Sequence, residues 1–541
     1  MNIQFEFPPS GNAAAPAFIN PVACGEWLDA LPVSNAATAQ AQLRVQLGLL
    51  PVAGFKPALL FEILEQLRGP LLQVQAEMTR KFAFRPLPLA DFEAGALAGS
   101  LDLWRGFGLG WQVCVQALLD GDRDLKAHGA QLCQRALDSQ ARLILDVLNA
   151  GHDLADAHWL LLHKLYRAAE QVGVTSAKVK DLQMKELGAT NCVAAYARPL
   201  LLALGAPGDW EARQAQRIAR WTEHLATKVV ISREPPETAS KPPVLVDLAA
   251  GRGGFRLAAA ATPAGGADLR YLDISEFSLS IKNRIIRLRK GQAPASLGLG
   301  DDSNPPATER LLMTLYRHWG DGRAGREQVR RPVSGRALVA CGVPAMHYYI
   351  SGKAFRQPGH PNELSSRQRQ EIATFGRLAT RDDDDHSLIQ GFSLEDWAMH
   401  DESVAGLRLV RGAGVAGSRF SPGQLVAVRP SDARAFMIGV VRWVQMQTGG
   451  ELMVGVKSLP GVPLTMAIRA TGVNAKADKY QPGLLLPAVA ALQSIESVLL
   501  PAGWFKPGRA LELHTDVHRM IRLDALVERG TDFDRCTVSA V

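Results

Sequence analysis

The sequence predicts a multidomain α+β protein with a helical N-terminal domain, a mixed α/β middle module and a C-terminal antiparallel β-barrel. Three observations support this prediction. The chain has 541 residues, which is too many for a single hydrophobic core. Apolar residues recur at helical spacing up to about residue 230. Short apolar and β-branched runs separated by turn residues dominate after residue 392, as in small antiparallel barrels.

The helical domain is expected over residues 1–230. Its amphipathic stretches are ALLFEILEQLRGPLLQVQAEMTRKF, LWRGFGLGWQVCVQALLDG and AHWLLLHKLYRAAEQVGV. Short polar connections between such stretches favour a bundle of antiparallel neighbouring helices. The proline-rich, polar stretch SREPPETASKPP, around residues 232–243, then indicates a domain boundary.

The middle module is expected over residues 244–350, because strand and helix signals alternate there. PVLVDLAA, LRYLDIS and RALVACG are typical of strands, and FSLSIKNRIIRLRKG and TERLLMTLYRHWG of helices. The barrel is expected over residues 370–475, followed by a β-rich C-terminal extension over 476–541. The predicted barrel strands are GLRLVR, QLVAVRP, AFMIGVVRWVQM, ELMVGVKSL and PLTMAIRAT. The extension either continues the barrel or forms a second small β unit.

Composition argues against several classes of protein. The net charge of +7 is spread over the whole chain, whereas a nucleic-acid surface needs clustered charge, so no nucleic-acid partner is expected. The six cysteines form no C-x-x-C pair, which argues against a disulfide framework or a metal site. With no signal-peptide pattern and no apolar run of about 18 residues, we expect a cytoplasmic protein without a membrane span.

Two short motifs near the start of the predicted barrel carry the functional hypothesis. Arg377 and Arg381 form an R-x-x-x-R pair, and Asp401, Ser403 and Gly406 form D-x-S-x-x-G. Each motif alone is weak, since arginine pairs are common on solvated helices and the second motif could be an ordinary hairpin turn. Their order and their position beside a β-rich region favour a ligand site.

The residue types suit a ligand that contains guanines and phosphates. If WAMHDES is extended, Asp401 and Ser403 point to the same face as Trp397 and Met399, and Gly406 permits a bend or a close backbone approach. A guanidinium can bind phosphate, or guanine O6 and N7, through paired N–H donors. A carboxylate can accept from guanine N1–H and N2–H₂, and a serine hydroxyl can donate or accept.

RLATR and DESVAG, in this order before a compact β-barrel, resemble the PilZ domain family, as do the strands FMIGVVRWV and GELMVGVKSLPG. VPAMHYYISGKAF also resembles large bacterial PilZ proteins with a helical N-terminal region. The resemblance implies a cyclic di-GMP receptor in second-messenger signalling, with Arg377 and Arg381 on guanine and phosphate and Asp401, Ser403 and Gly406 opposite. It implies neither an enzyme nor a cofactor. We expect ligand binding to rearrange the domains, or a contact between the helical region and a protein partner.

One feature opposes this hypothesis. Asp382, Asp383, Asp384 and Asp385 directly follow Arg381. Carboxylates beside a phosphate site repel the anion or compete for the arginines, so this run weakens binding if it folds back onto the site.

Two alternative functions stay open. Residues 247–254, DLAAGRGG, resemble the glycine-rich loop of S-adenosylmethionine-dependent methyltransferases, with Asp273 as the ribose-binding acid. Too few residues follow for the rest of a doubly wound sheet, so this loop is interpreted as a turn. A ligand-free interaction protein with a degenerate barrel is the other alternative. The basic helix KNRIIRLRK is interpreted as a solvated face or an interface with a protein partner.

Overall fold

The fold is that of a computed structural model, which describes residues 3–8, 15–183, 188–205, 207–236, 243–256, 266–301, 304–320, 330–358, 391–471, 479–515 and 517–541. Two compact units make up the chain. The first comprises Met1–Arg85, Leu89–Gly208 and Ala212–Glu327, and the second comprises Pro86–Pro88, Asp209–Glu211 and Gln328–Val541. Each unit is described separately below.

The first unit begins with the expected helical domain. Its helices are α1 (Pro21–Asp29), α2 (Ala36–Leu49), α3 (Pro57–Phe82), α4 (Asp91–Leu119), α5 (Gly129–Asn149), α6 (Asp156–Val172), α7 (Cys192–Leu204) and α8 (Ala212–Leu225). A short hairpin, β1 (Val179–Lys180) with β2 (Ala189–Thr190), lies between α6 and α7. Asn20 caps α1 by accepting from the Ala23 amide at 2.9 Å. Helix α5 is buried along most of its length, so it forms the centre of the bundle.

The remainder of the first unit is a small sheet followed by two helices. The strands are β3 (Val230–Ser232), β4 (Val244–Asp247), β5 (Phe255–Arg256) and β6 (Leu269–Asp273), and the helices are α9 (Ser275–Arg289) and α10 (Pro305–Gly320). The described strands have the order β3-β6-β4-β5, and every pairing is antiparallel. The strands and helices predicted up to residue 320 are therefore present.

The second unit contains two closed barrels. The first consists of β7 (Arg331–Cys341), β8 (Leu394–Ser403), β9 (Gly406–Arg411), β10 (Leu425–Pro430), β11 (Met437–Met446) and β12 (Leu452–Ser458), with α11 (Val343–Ser351) after β7. RALVACG, expected in the middle module, includes the end of β7. Because β7 pairs with both β8 and β10, this strand lies in the first barrel instead.

The predicted C-terminal extension closes into a barrel of its own. Its strands are β13 (Leu464–Ala470), β14 (Gln481–Leu486), β15 (Ser497–Pro501), β16 (Ala510–His514), β17 (His518–Arg529) and β18 (Phe533–Ala540). PLTMAIRAT, expected in the first barrel, supplies the first strand of the second. Both barrels have the same pairing, in which the first strand neighbours the second and fourth and the third neighbours the sixth.

One hydrophobic cluster extends across both barrels. Leu425 and Ile438 of the first barrel pack in the same cluster as Leu484, Leu486 and Phe533 of the second. The predicted multidomain α+β class with a C-terminal antiparallel barrel is confirmed. Among the described residues no helix is both long and apolar enough to cross a membrane.

Candidate ligand-binding site

The predicted D-x-S-x-x-G motif forms the hairpin between β8 and β9. Along β8, Trp397, Met399 and Asp401 are buried, but a register shift between Met399 and Asp401 interrupts the expected alternation before it reaches Asp401. Val404 and Ala405 make a two-residue turn, so this segment is both an extended strand and a hairpin turn. The Ser403 hydroxyl donates to the Gly406 carbonyl across the turn at 3.3 Å.

Gly406 sits where β9 meets β12. A Cβ built on this residue would overlap the backbone carbonyl oxygen of Val456 on the neighbouring strand. Any larger residue would push the two strands apart, which confirms the close backbone approach expected at this position.

Asp401 lies between two arginines from the neighbouring strands. Arg408, on β9, places Nη2 2.5 Å from Asp401 Oδ2, and Nη1 of Arg330, directly before β7, donates to Oδ1. Because β7 and β9 both pair with β8, the sheet itself brings these three side chains together. Two guanidinium charges on one carboxylate leave this end of the barrel with an excess of positive charge.

Arg408 still has unused donor capacity. Its Nη2 also lies 2.8 Å from Nδ1 of His400. Its Nε is buried and has no hydrogen-bond partner among the described residues. Lys457, on β12, pairs with Gly406 across the sheet and adds another basic residue beside the hairpin.

Three of the five predicted ligand-binding residues therefore meet in one hairpin: Asp401, Ser403 and Gly406. Arg377 and Arg381 lie outside the described residues, as do Asp382, Asp383, Asp384 and Asp385, so their approach to the hairpin stays a prediction.

Sequence reasoning missed Arg330 and Arg408. A signal for Arg330 was present, since Arg326-Glu-Gln-Val-Arg330 is a second R-x-x-x-R. It directly precedes β7, but that strand was assigned to the middle module, so the motif was not connected with the barrel. Arg326 itself lies outside the described residues.

The glycine-rich loop after β4 does not resemble a nucleotide site. A methyltransferase of this type needs a parallel sheet. In this chain β4 pairs with β6 in the antiparallel direction. A Cβ at Gly251 would overlap Asp156, and one at Gly253 would lie 3.1 Å from the Trp159 ring. The glycines thus allow the loop to pack on α6, where His163 Nε2 lies 2.9 Å from the Arg252 carbonyl oxygen. The methyltransferase alternative is wrong.

Other kinds of site were also sought. The described residues contain no group of three or more His, Cys, Asp or Glu side chains that could hold a metal ion. All six cysteines lie in the described part of the chain and none forms a disulfide.

Comparison with known proteins gives matches at both ends of the chain. Residues 22–237 match the family model of the N-terminal domain of the cyclic-di-GMP receptor FimW, and residues 466–541 match that of the FimW C-terminal β-barrel domain. The chain is also 23% identical to the cyclic-di-GMP receptor FimW of Pseudomonas aeruginosa, over 92% of this chain and 86% of the relative. The expected relation to cyclic di-GMP receptors with a helical N-terminal region is confirmed.

Proposed function

We propose that this chain, which matches the models of the FimW N-terminal and C-terminal domains over residues 22–237 and 466–541, is a receptor for cyclic di-GMP in bacterial second-messenger signalling. The similarity to a named cyclic-di-GMP receptor over nearly the whole chain supports the ligand. The structural observation that carries the proposal is Asp401 held between Arg330 and Arg408, beside a hairpin that only glycine can close.

The site matches both chemical parts of the ligand. A carboxylate at Asp401 accepts from N1–H and N2–H₂ of guanine, and the arginines offer paired N–H donors to phosphate or to guanine O6 and N7. The half-buried Ser403 hydroxyl, two residues after Asp401 in the same hairpin, adds a further donor or acceptor. The excess positive charge of the arginines complements the two phosphates.

In the proposed binding mechanism, Asp401 exchanges an arginine partner for the guanine of the ligand. In the structure one oxygen of Asp401 accepts from Arg330 and the other is ion-paired with Arg408. Guanine donors reach the carboxylate by displacing one of these arginines. Arg330 precedes its strand rather than lying within it, so it is the arginine that we expect to turn from Asp401 towards the ligand. The ligand then pairs with the positive charge of Arg330, which Asp401 had neutralised within the protein.

Two R-x-x-x-R motifs are candidates for the segment that binds the phosphates of the ligand, called the arginine arm below. The pair Arg326 and Arg330 ends in a residue that already contacts Asp401, and we propose that it is the principal arm. Arg377 and Arg381 stay the second candidate, since they precede the start of β8 at Leu394 by only 17 and 13 positions in the sequence. The effect of the acid run that follows Arg381 depends on which arm binds.

The output is a changed contact with a protein partner, with no chemical turnover and no cofactor. Ligand binding selects one arrangement of the arginine arm from those that the free protein samples. A cytoplasmic location accords with six free cysteines, because disulfides are rare in that compartment. No nucleic-acid partner is proposed.

Calorimetric titration of the full chain with cyclic di-GMP tests the proposal. We expect saturable binding to the wild type, and a loss of about 30-fold in affinity in Arg330→Ala, since charged hydrogen bonds contribute about 2 kcal/mol each. Arg377→Ala should have the smaller effect. Arg336→Ala is the matched control, because Arg336 lies on the same strand β7 but pairs with Asp396.

The outcomes separate the hypotheses. Failure of the wild type to bind would overturn the receptor proposal. Normal binding by Arg330→Ala together with lost binding by Arg377→Ala would keep the receptor and reassign the arm.

A further inference from the structure

A basic groove lies on the first unit, far along the sequence from the hairpin site. It is a cavity of 610 Å³ between α9 and the segment Ala295–Leu297. The lining residues are Ser280, Asn283, Arg284, Ile286, Arg287, Lys290, Ser296 and Leu297. Three are cationic and, of the described residues that line the groove, none is acidic. This groove has no part in the proposed ligand site.

Arg284 is fixed in position inside the groove. Its Nε donates to the Leu297 carbonyl at 3.1 Å, and its Nη1 donates to the carbonyl and the hydroxyl of Ser280. Burial and the neighbouring Arg287 cation both lower the pKa of Arg284. Two cations are thus held close together without an acid between them, and an anionic group in the groove would relieve their repulsion.

The same helix also presents apolar side chains to the outside. Ile281, Ile285 and Leu288 are buried, as their helical spacing requires. Leu279 and Ile286 point the other way and are 46% and 40% exposed. They are seven residues apart, which is two helical turns, so they form an apolar ridge on one face of α9.

We propose that this groove and ridge bind an acidic amphipathic helix from a protein partner. Apolar residues of such a helix, spaced two turns apart, would cover Leu279 and Ile286. Its carboxylates would pair with Arg287 and Lys290 at the rim, where charge complementarity guides association and sets orientation. The proposal is independent of cyclic di-GMP.

Two other occupants fit less well. A small molecule is disfavoured, because the pockets that bind small molecules are mostly enclosed and apolar. Charged and polar side chains line most of this open groove. A free phosphate or a nucleic-acid backbone would satisfy the cations, but it would leave the Leu279 and Ile286 ridge in contact with water.

The test uses the full-length protein and a defined probe. The probe is a fluorescein-labelled, 15-residue helical peptide with leucines on one face and glutamates on both flanks. A second peptide, with glutamine replacing every glutamate, reports the part of binding that depends on charge. Fluorescence anisotropy measures both.

We expect the glutamate peptide to bind and Arg287→Glu to weaken it about tenfold or more, as for reversed charges at an interface. Lys282→Glu is the matched control: it makes the same charge change on the same helix, but Lys282 does not line the groove. Ile286→Ser should weaken both peptides, because it removes an apolar anchor. Equal thermal unfolding midpoints for all variants establish that each is folded.

Three results would overturn the proposal. Equal weakening by Arg287→Glu and Lys282→Glu would show general electrostatic attraction. No effect of Ile286→Ser would remove the ridge from the binding surface. Binding to phosphatidylglycerol vesicles but not to the glutamate peptide would assign this face to a membrane instead.

Discussion

The two barrels have the same strand order but differ at the connection between their second and third strands. In the first barrel β8 and β9 are joined by two residues, Val404 and Ala405. In the second, residues 487–496 join β14 and β15, and Leu492 and Ile495 on this loop are 56% and 63% exposed. Close to the first connection, β8 carries a buried acid, Asp401, that contacts two arginines. The second connection is apolar over most of its length.

This difference shows that a closed sheet fixes the positions of its strands but does not by itself create a binding site. A tight hairpin keeps Asp401 of β8 directly opposite Arg408 of β9, so the ion pair follows from the register. A ten-residue connection imposes no such pairing at the strand ends. Function therefore depends on a few residues placed on the frame, as with other folds that are used for several purposes.

The largest effect should come from breaking the tight hairpin. Gly406→Ala places a methyl group against the Val456 carbonyl and should lower the free energy of unfolding by about 3 kcal/mol, as overpacking does. Urea denaturation measures it. Gly449→Ala is the control, since a Cβ there would meet nothing within 4 Å. Equal stability of the two variants would show that β9 and β12 can separate at little cost.

The next effect compares the acids of the two barrels. Asp401→Asn keeps the shape but removes the charge, and should weaken cyclic di-GMP binding by about 2 kcal/mol, roughly 30-fold. Glu512→Gln is the counterpart in the second barrel, where Glu512 accepts from Arg469 at 2.7 Å. Titration calorimetry should find no change in affinity for that variant. A similar loss in both would contradict a ligand site confined to the first barrel.

An effect of similar size concerns the contact between the two barrels. Asp532 of the second barrel accepts from the Leu425 amide of the first at 3.0 Å, and burial raises the pKa of its carboxyl to about 6. The folded state therefore binds this proton more tightly than the unfolded state. Stability should fall by about 2 kcal/mol as the pH rises from about 4 to about 6, and by about 0.4 kcal/mol more by about pH 7.

The Asp532 effect is isolated by comparison with Asp532→Asn, which keeps an acceptor but does not titrate. Urea unfolding at pH 4, 5, 6 and 7 should give curves for the two proteins that diverge across that range. Parallel curves would show that this carboxyl titrates alike in the folded and unfolded states.

The smallest effect tests the apolar connection of the second barrel. Ile495→Ser should change neither cyclic di-GMP affinity nor, by more than about 0.5 kcal/mol, stability, because the side chain is exposed. A clear loss of affinity in titration calorimetry would mean that this loop takes part in ligand binding.

Local patterns were sufficient to predict most strands and part of the site. WAMHDES was correctly predicted to be extended, with Trp397 and Met399 buried, although the register shift before Asp401 was not foreseen. The extended conformation and the burial both depend on neighbours within about ten residues, for which the periodicity of the side chains is a direct guide.

Long-range pairing was not predictable in the same way. Arg330 and Asp401 are 71 positions apart, and they meet only because β7 pairs with β8. The direction of the strands could not be predicted from the sequence either. The loop after β4 fits a nucleotide-binding pattern in sequence, but the structure shows that β4 and β6 are antiparallel. Neither the partner nor the direction of a strand is encoded in its own residues.

The hydrophobic cluster that extends across both barrels limits how the chain can be shortened. Leu484, Leu486 and Phe533 form part of the wall that Leu425 and Ile438 pack against. A truncation after β12 would leave that wall open to water, so the barrel with the hairpin site would lose stability along with the deleted one. The second barrel is thus retained as a structural support, and any minimal sensor derived from this protein has to include it.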